Sequence, residues 1–443
     1  MTIARTICLG FLAVISVGTI LLLMPFSISN GEWGNLTTAL FTSTSAVCVT
    51  GLIVVDTGTY FSFWGQLCIL CLIQIGGLGY MTTTTFLILL IGRKFDFRQK
   101  LAIKESFDRP FLQGSQNLLK SVFATTIVLE LSGAIILFLI FQKDFNNQRS
   151  LWLAIFHSIS AWNNAGFSLF EDSLVRYQTS IPMNAIISFL IIVGGIGYQV
   201  IIEYYLWFQE KFNRSSHRQY RFSLNFRVVT STTFFLLIFG TIFFFFTEYN
   251  NLLKTFPFPE KVLLAWFQSV TTRTAGFNTL DLGAMTTASL FLTIGFMFVG
   301  ASPSGTGGGM KTTTLRILLE STKAVLQGKR DVIVFEREVP SSLILKAMAV
   351  VFGSAVTVLT ITFIISFLHP DFNFINIFFE VVSAFATVGL STGITGSLSG
   401  TAQLVIILTM YIGRVGVLLF MSAIVGDPKP TRIQYPEENL LIG

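Results

Sequence analysis

Four short phrases in this chain share one glycine: Val49-Thr50-Gly51-Leu52, Asn164-Ala165-Gly166-Phe167, Thr274-Ala275-Gly276-Phe277 and Thr387-Val388-Gly389-Leu390. The residues just before them, Cys48, Asn163, Arg273 and Ala386, have nothing chemical in common. No shared side chain does the work, so the shared chemistry is that of the backbone. Glycine permits dihedrals that a side chain obstructs, and the residues around it can present their carbonyl oxygens. Four such turns facing one axis would offer a dehydrated cation the oxygens that replace its water.

Two further groups have the right chemistry to control such a path. The segment from Gly300 through Ala301, Ser302, Pro303, Ser304, Gly305, Thr306, Gly307, Gly308 and Gly309 to Met310 and Lys311 interrupts an apolar run. Three consecutive glycines and a proline rule out a regular helix there. A plug in the ion path, spanning 300–310, is the expectation. Arg414 is the one charge well inside the last apolar run, and an intramembrane charge is costly unless it faces a cavity or a partner. It is expected to face the pore below the glycine phrases, donate to carbonyls of the 301–309 loop and repel cations while that loop is closed. A nucleotide-binding reading of Gly305 to Thr312 fails, because Met310 stands where the pattern needs glycine and an apolar span precedes it.

These groups must be held by elements at membrane depth. The chain has 443 residues, 52% hydrophobic and 12% charged, too apolar for a soluble multidomain protein. Apolar runs recur throughout, which makes it an all-α, polytopic membrane protein. The first run, Ile7 to Pro25, lacks a clear cleavage site and reads as a span rather than a signal peptide. The four cysteines imply no disulfide framework, and Cys68 and Cys71 have no second ligand pair.

The chain divides into four units, roughly 1–105, 106–222, 223–335 and 336–443, each an apolar span, a short helix, a glycine phrase and a second span. The short helices are expected at Asn35 to Val47, Ser150 to Trp162, Glu260 to Thr271 and Ile375 to Phe385. A helix of about 12 residues covers about 18 Å, little more than half of a hydrocarbon core of about 30 Å. It must dip in and turn back, which is tolerated only where the backbone is buried or lines a water-filled path. The second spans are expected at Phe61 to Ile91, Ile186 to Phe208, Met285 to Leu326, the one interrupted, and Gln403 to Ile424. Each carries another small-residue patch: Gly76-Gly77-Leu78-Gly79, Gly194-Gly195-Ile196-Gly197, Gly300 to Gly305, and Gly413-Arg414-Val415-Gly416. Such patches ordinarily mark close helix packing.

The formal charge of +6 is unevenly spread. Basic residues cluster at Arg93 to Lys120, Lys211 to Arg227, Arg316 to Lys346 and Lys429 to Arg432, which the positive-inside rule places in the cytoplasm together with both termini. These clusters alternate with spans and lack interleaved stacking aromatics, so no nucleic-acid partner is expected. The opposite loops hold Glu32, Asp56, Asp144, Glu171, Asp172, Glu248, Glu260, Asp281 and Asp371, an outer face that favours cations. Arg273 is expected to support the third phrase from behind instead of lining it, and Glu130 and Glu203 to pair structurally, with neither expected as an ion ligand.

With these phrases in this order, the chain resembles the membrane subunits of the Trk, Ktr and HKT superfamily of potassium transporters, most closely the Ktr type, over nearly its whole length. The resemblance implies four fused potassium-channel-like units around a central pore, a gating loop in the third, and potassium selectivity from glycine in all four phrases. In plant relatives serine in the first phrase accompanies sodium transport, so Gly51 argues for potassium. It further implies a homodimer with one pore per protomer and a cytoplasmic nucleotide-binding regulatory ring, the chain itself binding no nucleotide. The apolar Leu440-Leu441-Ile442 is a candidate dimer contact. The function expected is potassium uptake through a carbonyl filter gated by the loop, with sodium as a second candidate ion, and no enzymatic activity. An alternating-access cation symporter is the alternative, disfavoured because the four units all run in the same direction.

Overall fold

In the computed structural model residues 3–79, 115–212 and 220–426 are described. The basic residues at 93–114, Lys429 to Arg432 and Leu440 to Ile442 lie outside them. Among the described residues, four helices are long and apolar enough to cross a bilayer: α1 (Ile3–Leu23), α4 (Ser115–Phe141), α8 (Leu224–Glu248) and α12 (Ser341–Leu368). They carry exposed Leu131, Ile135, Phe234, Phe352, Phe363 and Phe367, surfaces that only an apolar surrounding would satisfy.

After each long helix comes a short one: α2 (Leu36–Cys48), α5 (Asn147–Trp162), α9 (Phe258–Thr271) and α13 (Phe374–Phe385). Three have asparagine at the N-cap position, and in two the side chain makes the cap. Asn35 accepts from the Thr37 amide at 2.8 Å and Asn146 from the Arg149 amide at 2.9 Å, satisfying donors that the first helical turn leaves free. The C-terminal half of each is buried, so each points its negative dipole end into the molecule's centre.

The helices that lead back out are α3 (Phe63–Leu78), α6 (Ile181–Ile196) with α7 (Tyr198–Phe212), α10 (Thr287–Phe298) with α11 (Thr312–Leu326), and α14 (Gly400–Val415) with α15 (Val417–Val425). Here the structure corrects an expectation. The second spans of the second and fourth units are not straight: they bend by 100° between α6 and α7 and by 97° between α14 and α15. The cause is Gly197 and Gly416, at φ 95° and 91°, where a side chain would be strained. Gly79 ends α3 at φ 77°. Interruption is therefore a property of several units, and the third differs in having an eleven-residue loop, 300–310, in place of a single glycine.

The patch glycines also pack closely. A Cβ on Gly76, Gly194 or Gly413 would collide with the carbonyl oxygen of Val47, Trp162 or Phe385 respectively, each at the end of the unit's short helix. The third unit has no such glycine; a Cβ on Gly300 would instead meet Gly308 of its own loop. A small hairpin, Ile333–Val334 paired with Arg337–Glu338, follows α11 and was not foreseen from the sequence. Its turn residues Phe335 and Glu336 have φ 49° and 63°, without the glycine or asparagine that usually announces such a turn.

Candidate functional site

The four glycine phrases meet in a closed ring. A Cβ on Gly51 would strike the carbonyl oxygen of Ala165, one on Gly166 that of Ala275, one on Gly276 that of Val388, and one on Gly389 that of Thr50. Each phrase thus abuts the next in chain order, and the fourth closes on the first. Val49, Asn164, Thr274 and Thr387 take left-handed φ of 57°, 56°, 66° and 51°. Gly51, Gly166, Gly276 and Gly389 follow at 91°, 69°, 78° and 90°. For the four non-glycine residues this conformation costs of order 1–3 kcal/mol each and persists only where surroundings enforce it.

Part of that enforcement comes from hydroxyls that sequence reasoning missed. Ser45 Oγ donates to Leu52 O at 2.7 Å and accepts from the Gly51 amide at 3.1 Å. Ser160 Oγ donates to Phe167 O and Thr271 Oγ1 to Phe277 O, both at 2.7 Å, and Ser383 Oγ accepts from the Gly389 amide at 3.1 Å. All four hydroxyl residues are fully or almost fully buried. The signal was present as a serine or threonine five or six residues before every phrase glycine, but in an apolar helix such a residue usually bonds its own preceding turn.

Above the ring opens a cavity of 410 Å³ lined by all four phrase glycines and by Glu171, Asp172 and Asp281. Only these three of the nine outer acidic residues reach it. Glu248 is instead buried, accepting from Thr286 N at 3.0 Å, Thr286 Oγ1 at 2.8 Å and Asn251 Nδ2 at 2.7 Å, so it fastens α8 to α10. Beside the fourth phrase, buried Glu380 accepts from Thr395 Oγ1, which in turn bonds Ser391 Oγ at 2.9 Å.

Beneath the ring lies the loop. Its ends are joined by Gly300 N to Met310 O at 2.8 Å and Ala301 N to Gly308 O at 3.3 Å. Its outward side touches the phrases: Gly308 N donates to Thr387 Oγ1 at 3.1 Å, and a Cβ on Gly307 would collide with Thr274 Oγ1. One flank is fastened to the second unit by Ser302 N to Gly195 O at 3.0 Å, Thr306 N to Gly194 O at 3.3 Å and Tyr198 N to Ser304 O at 3.2 Å. Pro303 O sits against Gly197, Gly305 N closes a turn on Ser302 O at 3.1 Å, and Ser304 and Gly309 take φ 60° and 68°. Ser302 Oγ accepts from Thr312 Oγ1 at 3.0 Å.

Arg414, two residues before the bend at Gly416, donates from Nη1 to Thr306 O of the loop and from Nη2 to Gly76 O of the first unit. One guanidinium therefore joins the first, third and fourth units below the ring; the Gly76 partner was not foreseen. Lys311 folds back to donate from Nζ to Gly307 O at 2.9 Å. Two cationic side chains thus hold carbonyls of the buried loop residues Thr306 and Gly307.

Arg273 is buried among Ile191, Ile192, Gly195, Leu237, Val270 and Ala301, behind the third phrase. Glu130 accepts from Asn163 Nδ2 at 3.2 Å, which also donates to Gln74 Oε1 at 2.9 Å, while Glu203 accepts from Ser223 N at 3.0 Å and Oγ at 2.7 Å.

Comparison with known proteins gives a consistent result. The profile of the TrkH family, described as cation transport protein, matches residues 7–428. The Ktr system potassium uptake protein B of Bacillus subtilis is 36% identical over 99% of this chain and 96% of its own length. The potassium/sodium uptake protein NtpJ of Enterococcus hirae is 37% identical over 99% and 97%. Among solved structures, the potassium transporter TrkH from Vibrio parahaemolyticus superposes with a TM-score of 0.72 at 18% identity, covering 95% of this chain and 84% of that one.

Proposed function

The chain belongs to the TrkH family of cation transport proteins, and from that premise we propose a potassium-uptake transporter in which the four glycine phrases are the filter and the 300–310 loop is the gate. The observation that carries the filter reading is the closed ring, in which every phrase glycine faces the carbonyl before the next phrase glycine. Cations gather in the acidic outer cavity, lose water where backbone oxygens of Val49, Thr50, Asn164, Ala165, Thr274, Ala275, Thr387 and Val388 replace it, and are drawn by the negative ends of four short helices. Gly51, Gly166, Gly276 and Gly389 supply the dihedrals.

Below the filter, the loop from Gly300 to Gly309 closes the path while Arg414 and Lys311 hold its carbonyls and place positive charge on the axis. Opening requires Thr306 O to leave Arg414. The four units, 1–105, 106–222, 223–335 and 336–443, each begin and end in the cytoplasm, with both termini there. A homodimer and a separate cytoplasmic nucleotide-binding ring of the Ktr type complete the assembly. Since one relative is named a potassium/sodium uptake protein, sodium is the natural candidate for a coupled or stimulating ion.

Growth of uptake-deficient cells at limiting potassium, with and without sodium, tests the reading. Rescue that needs potassium is expected. Rescue that needs an imposed sodium or proton gradient at every potassium concentration would favour an alternating-access symporter instead.

A further inference from the structure

A second cavity, of 560 Å³, lies behind the gate and plays no part in the ion path just described. Its inner wall includes Pro303 and Ser304 of the loop. Most of the remaining lining is apolar, with Val228 from α8, Ile317 from α11, Val334 from the hairpin, Leu343 and Val350 from α12, and Leu418 from α15. The polar part comprises Gln199, Asn225, Thr313, Thr314, Arg316 and Lys346, with one acid, Glu338.

Among the described residues, Asn225 Nδ2 and Arg316 Nε are buried donors without an acceptor. Arg316 already spends another edge on Glu320, at 2.7 Å from Nη2, so its Nε is the part that remains available. Lys346 adds an exposed ammonium. Buried donors without acceptors are rare in native structures and point to a missing acceptor. A phosphate with its ester carbonyls supplies several acceptors and one negative charge, and an acyl chain covers the apolar wall.

We propose that this cavity binds an anionic phospholipid of the cytoplasmic leaflet, its phosphate held by Arg316, Lys346 and Asn225 and its chain lying against α8 and α12, and that the bound lipid buttresses Pro303 and Ser304 from behind. The buttress favours the loop position in which Thr306 meets Arg414, so anionic lipid lowers ion flux through the protein. The effect on flux rests on the gating reading above; the binding does not.

The experiment uses the full chain alone, without any regulatory ring. Retention of phosphatidylglycerol is measured by native mass spectrometry, and rubidium flux in vesicles of phosphatidylcholine with and without phosphatidylglycerol. Wild type retains the lipid and conducts less in its presence. Arg316→Gln with Lys346→Gln removes two cationic donors and weakens retention by about tenfold or more, the equivalent of about 1.4 kcal/mol or more. Ala347→Trp, which fills the cavity without touching charge, also abolishes retention. Equal retention by wild type and both variants overturns the site, and so does displacement of the lipid by glycerol phosphate alone, which would mean that the apolar wall contributes nothing. Retention lost in the variants while lipid sensitivity of flux stays unchanged overturns the coupling to the loop. A failed gate would show separately, as an Arg414→Ala variant with unaltered flux.

Discussion

Replacing Arg414 with alanine isolates the proposed gate. In the structure its guanidinium makes two hydrogen bonds to carbonyls, one to Thr306 on the loop and one to Gly76, which does not belong to the loop. Only the first must break when the loop moves, while the second orients the side chain. A hydrogen bond to a charged group is worth about 1.5–3 kcal/mol. Removing it raises the open fraction by about ten- to a hundredfold, at 1.4 kcal/mol per factor of ten, until the open state saturates. Loss of the positive charge beneath the filter acts in the same direction, since like charges repel strongly where water is scarce. Arg414→Lys separates the two effects. It keeps the charge but not the planar fork that spans Thr306 O and Gly76 O, so its flux should lie between wild type and Arg414→Ala. The assay is rubidium uptake into vesicles loaded with potassium chloride, with matched reconstitution and thermal unfolding in detergent to confirm a folded protein. Unchanged flux in a folded Arg414→Ala protein would refute the reasoning.

Gly413→Ala should destabilise the protein by about 1–3 kcal/mol, because the new methyl meets the backbone carbonyl of Phe385 rather than a movable side chain; thermal unfolding in detergent measures this. Gly295→Ala is its control: it lies within α10 with nothing within 4 Å of the added methyl, and should be neutral or stabilising by up to about 1 kcal/mol. Ser45→Ala removes the donor to Leu52 O and the acceptor of the Gly51 amide. Leaving those buried groups unpaired costs about 1–3 kcal/mol, and sodium should compete more effectively against rubidium uptake in this variant.

The ring of four glycine turns was legible in the sequence because its backbone conformation is local. A glycine in a turn after a short apolar helix announces a backbone conformation, and Gly51, Gly166, Gly276 and Gly389 do so four times. The loop was legible for the same reason, since Pro303 and Gly307 to Gly309 exclude a helix whatever surrounds them. What the sequence did not disclose depends on distant contacts. A glycine in a membrane helix serves packing, as Gly76, Gly194 and Gly413 do, or bending, as Gly197 and Gly416 do, and only the position of the neighbouring short helix decides which. The second partner of Arg414 is a backbone carbonyl 338 residues away, which no side-chain pattern marks. The outer acids looked equivalent as charges, yet Glu248 is consumed in fastening α8 to α10 while Asp281 lines the outer cavity. Asn225 and Arg316 read as members of basic stretches, and only the fold shows that both line one cavity and carry buried donors without an acceptor.

The central claim is that a closed ring of backbone carbonyls selects potassium, and Gly51→Ser tests it most directly. Gly51 sits at φ 91°, and any Cβ there meets Ala165 O across the ring, so serine must displace one wall without altering the gate. In uptake-deficient cells and in vesicles, the account predicts that the preference for potassium over sodium falls by about tenfold or more, the effect of roughly 1.4 kcal/mol of strain at a single wall. An unaltered preference in a folded Gly51→Ser protein would contradict it.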